Sequence, residues 1–335
     1  MSCVDVIIPC YKYAHFLRDC VESVLSQEGV DIRILILDDC SPDNTPEVAA
    51  ELQQQDSRIE YRRHEKNQGH IATYNEGLEW TNGDYVMLLS ADDLLTPGAL
   101  ARSARLMNAH PEVGLVYSRD IPFESGQLPP YSGSASSDCR WQILTYQEFL
   151  EKSCMLGHTP IQAPATIART AVHKVVGGYR KELPHTADTE IWLRLAASSA
   201  VGVLDTEQAY RRLHQQNMSL TYSTPQRLLE QKKAFDAHFR WCGDRLPASD
   251  RLSRLLDHVL AENALWGASN AFDQGDQRAC QDFLRLAVDL NPVVRYWPLW
   301  FRLRIKQFLG PRVWSLVQPT VDRFRKLICY RSTVY

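Results

Sequence analysis

Short apolar runs and longer amphipathic segments alternate along the first 120 residues of the chain. The apolar runs are rich in valine, isoleucine and leucine, which predicts buried strands, and the segments between them have the 3.6-residue period of helices. The predicted strands are 4–9, 31–38, 59–62, 84–89 and 114–118, and the predicted helices are 14–27, 45–55, 69–79 and 97–108. Strand and helix in strict succession are typical of βαβ units in a doubly wound, mostly parallel sheet.

Two pairs of aspartates directly follow predicted strands. Asp38-Asp39 ends the second strand, and Asp92-Asp93 comes just after the fourth. Ligands of a doubly wound sheet bind beyond the carboxyl ends of its strands, and carboxylates are the ligands that Mg²⁺ and similar cations prefer. The pairs therefore predict a ligand site at this edge. The structural alternatives are a turn that starts a helix for the first pair and a cap of the helix near Pro97 for the second.

The second half of the chain changes character twice. A stretch rich in Gly, Pro and Ser at 121–139 predicts a surface loop near an acceptor site, and after residue 225 the pattern becomes helical, with an αα-hairpin formed by 249–272 and 277–290. The predicted domains are a catalytic domain at 1–222, with a nucleotide-binding half at about 1–120 and an acceptor half at about 121–222, and a helical region at 223–335.

Composition and targeting signals favour a cytoplasmic protein. The chain has 44% hydrophobic and 23% charged residues and a net charge of −3. Its nine cysteines form no C-x-x-C pair, which argues against a zinc site and favours a reducing compartment. The chain enters a strand pattern at once with an acid at Asp5, where a secretion signal would need basic residues, and no run is long enough to span a membrane.

The tail at 295–335 differs from the rest in charge. It holds nine Lys and Arg residues against one acid, Asp322, and interleaves them with aromatic residues. This mixture suits a peripheral contact with an anionic membrane surface. The alternative is a basic helical segment that packs on the catalytic domain or on a second subunit in a homodimer. Nucleic acid is not expected as a partner, because no recognised binding module accompanies the charge.

Six short motifs follow one another through the first 220 residues. They are Pro9-Cys10-Tyr11-Lys12; Asp38-Asp39-Cys40-Ser41-Pro42-Asp43; Asn67-Gln68-Gly69 with Asn75-Glu76-Gly77; Ser90-Ala91-Asp92-Asp93; Thr186-Ala187-Asp188-Thr189-Glu190; and Tyr210-Arg211-Arg212-Leu213-His214 with Asn217 and Ser219. In this order they resemble the motifs of inverting glycosyltransferase family 2. The resemblance implies an α/β chain with the GT-A fold, a Rossmann-like, mostly parallel sheet flanked by helices, here followed by a C-terminal helical region.

The resemblance also implies a reaction. A family 2 enzyme moves a sugar from a nucleotide diphosphate donor to a hydroxyl, and here we expect a UDP-sugar donor and a glycan or polyprenyl-diphosphate-linked acceptor of surface polysaccharide synthesis. It implies a nucleotide site at Pro9, Tyr11, Asp39 and Asp92, with Tyr11 lining the base and Asp39 accepting a hydrogen bond from it. It implies a divalent cation, Mn²⁺ or Mg²⁺, at Asp92, Asp93 and His214, although a loop histidine such as His214 can equally be solvated.

An inverting transfer needs a base that takes the proton of the acceptor hydroxyl, and the resemblance assigns this role to Asp188, with Glu190 as the second choice. The alternative is that Asp188 only caps the helix that follows it. Arg211 or Arg212 is a candidate partner of the diphosphate.

The chain departs from the family pattern at Ser90 and Ala187, which stand where the family has acids. A non-catalytic scaffold with the same fold is therefore one alternative function. A nucleotidyltransferase is another, but such enzymes need a Gly-rich loop after the first strand, and the residues at 9–13 include no glycine.

Overall fold

A computed structural model describes residues 1–127, 129, 139–215, 217, 224–246, 248–310 and 313–314. The chain divides into two compact units, Met1–Thr221 with Lys233–Pro247, and Tyr222–Lys232 with Ala248–Tyr335. The sequence analysis places 233–247 in the helical region, whereas in the structure this segment belongs to the first unit.

The first unit begins with the alternation of strand and helix that the sequence predicts. Its strands are β1 Cys3–Cys10, β2 Asp31–Asp38, β3 Ile59–Arg63, β4 Tyr85–Leu88, β5 Leu94–Leu95, β6 Val113–Glu124, β7 Trp141–Leu144, β8 Thr166–Arg169 and β9 Ala200–Leu213. Its helices are α1 Ala14–Leu25, α2 Thr45–Gln55, α3 His70–Trp80, α4 Ala99–Ala109, α5 Tyr146–Leu156, α6 Thr170–Val176 and α7 Ala187–Ser198. Strand β6 corrects one prediction, because it continues to Glu124 and so includes the first residues of the predicted loop.

The strands form one sheet with two different halves. The order along the sheet is β3-β2-β1-β4-β8-β6-β9-β5, with β7 also paired to β9. The four strands β3, β2, β1 and β4 are parallel, as the sequence predicts. Beyond them the sheet is mixed, because β8 is antiparallel to both β4 and β6, and β5 and β7 are antiparallel to β9.

Parallel pairing in the first half fixes where the ligand edge lies. The buried positions of strands β1 and β2 are mostly aliphatic, as expected for a parallel sheet covered by helices on both faces. Cys10 at the end of β1 is in register with Asp38 at the end of β2, and Ile7 is in register with Leu88 at the end of β4. The three loops that follow these strands therefore meet at one edge.

The second unit is helical. Helix α8, Thr224–Cys242, begins in it, and α9, Ser249–Asp273, and α10, Gln277–Leu290, form the predicted αα-hairpin. Leu265 and Phe272 of α9 pack with Phe283 of α10 in its core. In the parts of the chain described above, no helix is both long and apolar enough to cross a membrane.

Candidate active site

The loops after β1 and β2 are tied together. The backbone N–H of Lys12 donates to Ser41 Oγ at 3.1 Å, and that of Ala14 donates to Asp43 Oδ2 at 3.1 Å. Lys12 and Cys40 hold positive φ angles of 66° and 58°, a conformation that non-glycine residues adopt rarely and mostly in turns. In these hydrogen-bonded loops Tyr11 remains 40% exposed at the edge of the sheet.

Asp38 is a structural residue. Its fully buried carboxylate accepts hydrogen bonds from the backbone N–H of Ser41 at 2.7 Å and from the Tyr61 hydroxyl at 3.1 Å, and Arg63 Nε lies 3.3 Å from it. The carboxylate thus closes the turn after β2, which is the structural alternative considered above for this aspartate.

The side chain of Asp39 has different partners from that of Asp38. Its Oδ1 accepts from the backbone N–H of Gln68 at 2.7 Å and lies 2.7 Å from His64 Nδ1, and its Oδ2 accepts from the backbone N–H of Gly69 at 2.9 Å. Gly69 has a φ of +84°, which favours glycine at this point of the Asn67-Gln68-Gly69 motif. A carboxylate offers about four acceptor positions, so Asp39 retains capacity for a donor from a ligand.

Asp92 and Asp93 follow β4 in a tight turn, but they point to different partners. Asp93 Oδ1 accepts a hydrogen bond from the backbone N–H of Arg212 at 3.0 Å. Burial, reinforced by the neighbouring Asp92, raises the pKa of Asp93 well above its usual range. Asp92 Oδ2 instead lies 2.9 Å from His214 Nε2. The antiparallel pairing of β5 with β9 is what brings residues 210–214 to this turn.

Neighbouring residues hold His214 in its contact with Asp92. The imidazole packs against the rings of Tyr13 and Phe16, with centroids 5.4 and 5.1 Å away, and the backbone N–H of His214 donates to Asn217 Oδ1 at 2.6 Å. The pKa of Tyr13 is raised to about 12 by burial and by the charges of Asp92 and Asp93.

Within the described ranges no three or more His, Cys, Asp or Glu side chains are grouped so that they could hold a metal ion. The donors available at this point are therefore Asp92 and His214, with Asp93 turned to Arg212. Asp92 fits a cation such as Mg²⁺ or Mn²⁺, which proteins bind through one or two carboxylates while phosphates and water complete the shell, and an imidazole such as His214 is a ligand more typical of transition metals.

Both arginines of the closing motif are held by the protein. Arg212 donates from Nε to the carbonyl of Asp92 at 3.0 Å, and its guanidinium lies 4.5 Å from the ring of Phe16 and 4.8 Å from that of Phe123. Arg211 forms an ion pair with Asp120. Arg212 therefore positions the turn that carries Asp92, a role that the sequence analysis did not assign to it.

Asp188 lies in the first turn of α7, half-buried, and its Oδ1 accepts from the backbone N–H of Thr189 at 2.7 Å. Glu190 is fully buried, with both oxygens held by Arg194 at 2.8–2.9 Å and by Arg180 at 2.8 Å. The carboxylate of Glu190 is thus the anchor of α7, and Asp188 is the carboxylate of this turn that remains partly exposed.

Helix α3 connects the two halves of the site. Its first residue, His70, donates from Nε2 to the carbonyl of Pro184 at 2.7 Å, and the Asn75 side chain forms hydrogen bonds with both backbone groups of Tyr179 at 2.7 and 3.0 Å. The segment that leads into α7 is therefore fixed to the helix that begins beside Asp39.

A family model described as Glycosyl transferase family 2 matches residues 5–175, just over half of the chain. The chain belongs to glycosyltransferase family 2. The resemblance inferred from the motifs is confirmed.

Curated relatives align over part of their length. An uncharacterized protein of Mycobacterium tuberculosis is 28% identical over 219 residues, 62% of this chain and 66% of that protein. An uncharacterized glycosyltransferase of Nostoc sp. is 36% identical over 35% of this chain and 37% of its own. The GalNAc(5)-diNAcBac-PP-undecaprenol beta-1,3-glucosyltransferase of Campylobacter jejuni is 34% identical over 30% of this chain and 33% of its own. The chain thus spans about two thirds of the first of these relatives and about a third of the others.

Solved structures extend the likeness to the fold of nearly the whole chain. Residues 1–349 of S. aureus TarS, in complex with UDP-GlcNAc, superpose with a TM-score of 0.65 at 18% identity, covering 96% of this chain and 92% of TarS 1–349. The mannosyltransferase PcManGT of Pyrobaculum calidifontis, in complex with GDP-Man and Mn²⁺, gives a TM-score of 0.50 at 15% identity. The family 2 chain therefore has the GT-A fold with a C-terminal helical region, as predicted.

Proposed function

We propose that this chain is an inverting glycosyltransferase that moves a sugar from a UDP-sugar to a hydroxyl of a glycan or lipid-linked acceptor in surface polysaccharide synthesis. The observation that carries the proposal is the joint placement of Asp39 and the Asp92–His214 pair at the edge where β1, β2 and β4 end. A nucleotide diphosphate needs a hydrogen-bond acceptor for its base and metal ligands near its diphosphate. Asp39 has spare acceptor capacity for the base, and Asp92 and His214 are side chains that can bind a metal ion.

The donor nucleotide would lie over the two hydrogen-bonded loops that follow β1 and β2. Asp39 accepts a hydrogen bond from a base N–H, and the exposed ring of Tyr11, beside Pro9, lines the base. A uracil base offers the N–H that this arrangement requires. Two proteins with this fold are in complex with different nucleotide sugars, TarS with UDP-GlcNAc and PcManGT with GDP-Man, so the nucleotide is the first property to measure.

A divalent cation, Mn²⁺ or Mg²⁺, would be held by Asp92 and His214, with Asp93 and Arg212 supporting the turn. When bound, the cation offsets the charge that builds up on the leaving diphosphate. The antiparallel β5–β9 pair and the aromatic contacts of His214 hold the donor set in place before the ligand arrives.

Asp188 would act as the base. It takes the proton of the acceptor hydroxyl while that oxygen attacks the anomeric carbon, and the bond from this carbon to the diphosphate oxygen breaks on the opposite face. The position of Asp188 at the start of a helix anchored by Glu190 and Arg194 supports this assignment. Anchoring of the helix keeps the carboxylate in one place.

The acceptor would be carried on a lipid at an anionic membrane surface, where a cytoplasmic enzyme would act peripherally. The Campylobacter relative takes its name from an undecaprenol-linked acceptor. In the second unit, the helical residues 298–310 expose Phe301, Ile305 and Phe308, which share one face at i, i+4 and i+7 spacing. Exposed Arg295 and Arg304 accompany them. Arg312 and the cations of the predicted basic tail from residue 315 on lie outside the described residues.

The deciding experiment is calorimetric titration of UDP, TDP and GDP into the full chain, each with and without Mn²⁺. We expect one nucleotide to bind more tightly with the cation, and this gain to disappear in Asp92→Ala. Asp31→Ala, which changes an exposed aspartate far from the site, is the matched control and should bind like the wild type. Failure of all three nucleotides to bind under either condition would favour the non-catalytic scaffold.

A further inference from the structure

His64 forms a bridge between two carboxylates beside the proposed nucleotide site. Its Nδ1 lies 2.7 Å from Asp39 Oδ1, and its Nε2 lies 2.9 Å from Glu76 Oε2. The residue follows β3, and its backbone N–H donates to the carbonyl of Asp38 at 2.9 Å. The side chains of His64 and Asp39 are only 5% and 6% exposed, so water has little access to their contact, whereas Glu76 is 36% exposed.

The two contacts of His64 favour a ring that carries a proton on both nitrogens. A neutral imidazole carries one N–H, so one of its nitrogens would point a lone pair at a carboxylate oxygen. An imidazolium carries two N–H groups and satisfies both partners. Burial by itself would lower the pKa of His64, but the hydrogen bonds to Asp39 and Glu76 and the charges of these carboxylates together leave the pKa raised.

We propose that His64 is a positioning residue of the nucleotide site, held as an imidazolium between Asp39 and Glu76, so that base recognition weakens when the ring loses its proton. The inference rests on the proposed role of Asp39. The doubly protonated ring fixes Asp39 Oδ1 and leaves Oδ2 in place for the base. Loss of the proton removes one of the two hydrogen bonds and adds one negative charge beside the site.

The charged groups around the ring are few. Asp39 faces it from the loop after β2, and Glu76 faces it from α3. On the strand that leads to His64, Arg63 is directed to Asp38 instead. With the imidazolium, the trio of His64, Asp39 and Glu76 carries one net negative charge, and with neutral imidazole it carries two.

The first test measures the protonation of the ring directly. Nitrogen NMR of the full chain, with the His64 signals assigned by their loss in His64→Gln, should show the ring losing its second proton with a midpoint above about 6.5, the ordinary value for histidine. Glu76→Gln keeps a hydrogen-bond acceptor but removes one charge, so it should move the midpoint of the titration to lower pH. Glu79→Gln, on the exposed side of the same helix, is the control and should leave the midpoint unchanged.

The second test measures base recognition with uridine, an uncharged probe that needs no cation. The affinity of the wild type should fall as the pH rises through the midpoint of the His64 titration, which lies above the ordinary value of about 6.5, by at most about tenfold per pH unit, the limit for one proton. In His64→Gln the affinity should be independent of pH around that midpoint. An equal pH dependence in wild type and His64→Gln would overturn the inference, as would a titration midpoint of the ring at or below about 6.5.

A failure of the proposed function is distinguishable from a failure of the inference. If uridine does not bind at any pH while both ring nitrogens are protonated, the nucleotide role of Asp39 is overturned, and with it the recognition part of the inference. If uridine binds and the ring is neutral, the nucleotide site stands and the positioning role of His64 is wrong.

Discussion

Asp38 and Asp39 are adjacent in the chain but have different partners. Asp38 is fully buried and closes a turn, whereas Asp39 collects donors from His64, Gln68 and Gly69 at the ligand edge. The second acidic pair divides in the same way, because Asp93 is held by the backbone of Arg212 and Asp92 by His214. In each pair the two carboxylates thus have separate sets of partners, and the one assigned to the proposed site is Asp39 in the first pair and Asp92 in the second.

At the residue scale, Asp188→Asn should reduce kcat and leave KM for the donor nearly unchanged. The amide keeps the shape of the side chain and can still accept the hydrogen bond from Thr189, but it cannot take a proton. Loss of a general base typically costs about 10²- to 10⁴-fold in rate. Steady-state kinetics with the donor identified by calorimetry would measure the effect.

The control for this prediction is Glu182→Gln, which changes an exposed carboxylate near Asp188 in the chain and should keep the wild-type kcat. A kcat for Asp188→Asn within about twofold of the wild type would assign Asp188 to helix capping rather than to catalysis.

At the element scale, helix α3 depends on close contact with the sheet. Gly77 lies on α3, and a Cβ atom at this position would lie 2.4 Å from Cγ2 of the fully buried Ile7 in β1. The glycine of the Asn75-Glu76-Gly77 motif is therefore required by packing. The same helix begins just after Gly69, beside Asp39, so its distance from β1 also affects the position of the proposed nucleotide site.

Gly77→Ala should consequently lower the free energy of unfolding by about 1–3 kcal/mol, although alanine favours helix more than glycine does. The reason is that the added methyl group must displace Ile7 or the helix. Urea unfolding measures the change, and Glu79→Ala, on the exposed side of α3, should change stability by less than about 0.5 kcal/mol. Equal stability of Gly77→Ala and the wild type would show that the contact between α3 and β1 is loose.

At the element scale, the last residues of strand β6 could not be predicted from the sequence. Its first residues read as a strand in the sequence, but its last ones, Ile121 to Glu124, look like part of a polar loop. They extend because they pair in parallel with residues 210–213 of β9, which are remote in the chain. A local pattern contains no information about such a partner.

At the scale of the whole first unit, two buried histidines predict sensitivity to acid. Burial lowers the pKa of His173 to about 4 and that of His238 to about 3. The unfolded chain, with histidine pKa values near 6.5, binds these protons more readily than the folded chain. Stability should therefore fall as the pH drops below about 6.5 and continue to fall toward about pH 4.

His238→Gln removes one of these titrations while keeping a polar partner for the Tyr146 hydroxyl, which lies 2.7 Å from His238 Nε2. The loss of stability between about pH 6.5 and pH 4 should be smaller in this variant than in the wild type, as measured by urea unfolding at each pH. His185→Gln, at an exposed position, should follow the wild-type curve. A His238→Gln curve parallel to that of the wild type would contradict the prediction.

At the scale of the second unit, the exposed apolar face of 298–310 predicts binding to anionic lipid. The double variant Phe301→Ser/Phe308→Ser should bind phosphatidylglycerol vesicles at least about tenfold more weakly than the wild type, because each phenylalanine contributes about 1.5–3 kcal/mol when buried. Vesicle co-sedimentation measures the change. Higher salt should weaken the binding of the wild type, since cations flank the face.

The control is Val175→Ser, at an exposed apolar position on α6, which should bind vesicles like the wild type. Unchanged vesicle binding of the double variant would exclude the face from membrane contact. A smaller oligomer for the double variant in light scattering would instead assign the face to a second copy of the chain.

The sequence by itself determined the alternation of strands and helices, the edge at which the acids lie and the family. These features depend on hydrophobic period and on motifs of a few residues, and both are local. The resemblance already assigned Asp39 and Asp92 to the site. Tertiary structure decided which groups each carboxylate contacts, that Arg212 supports the Asp92 turn, and that His64 bridges Asp39 and Glu76. Those contacts join residues brought together only by strand order and by the docking of α3 on the sheet, so no local pattern could predict them.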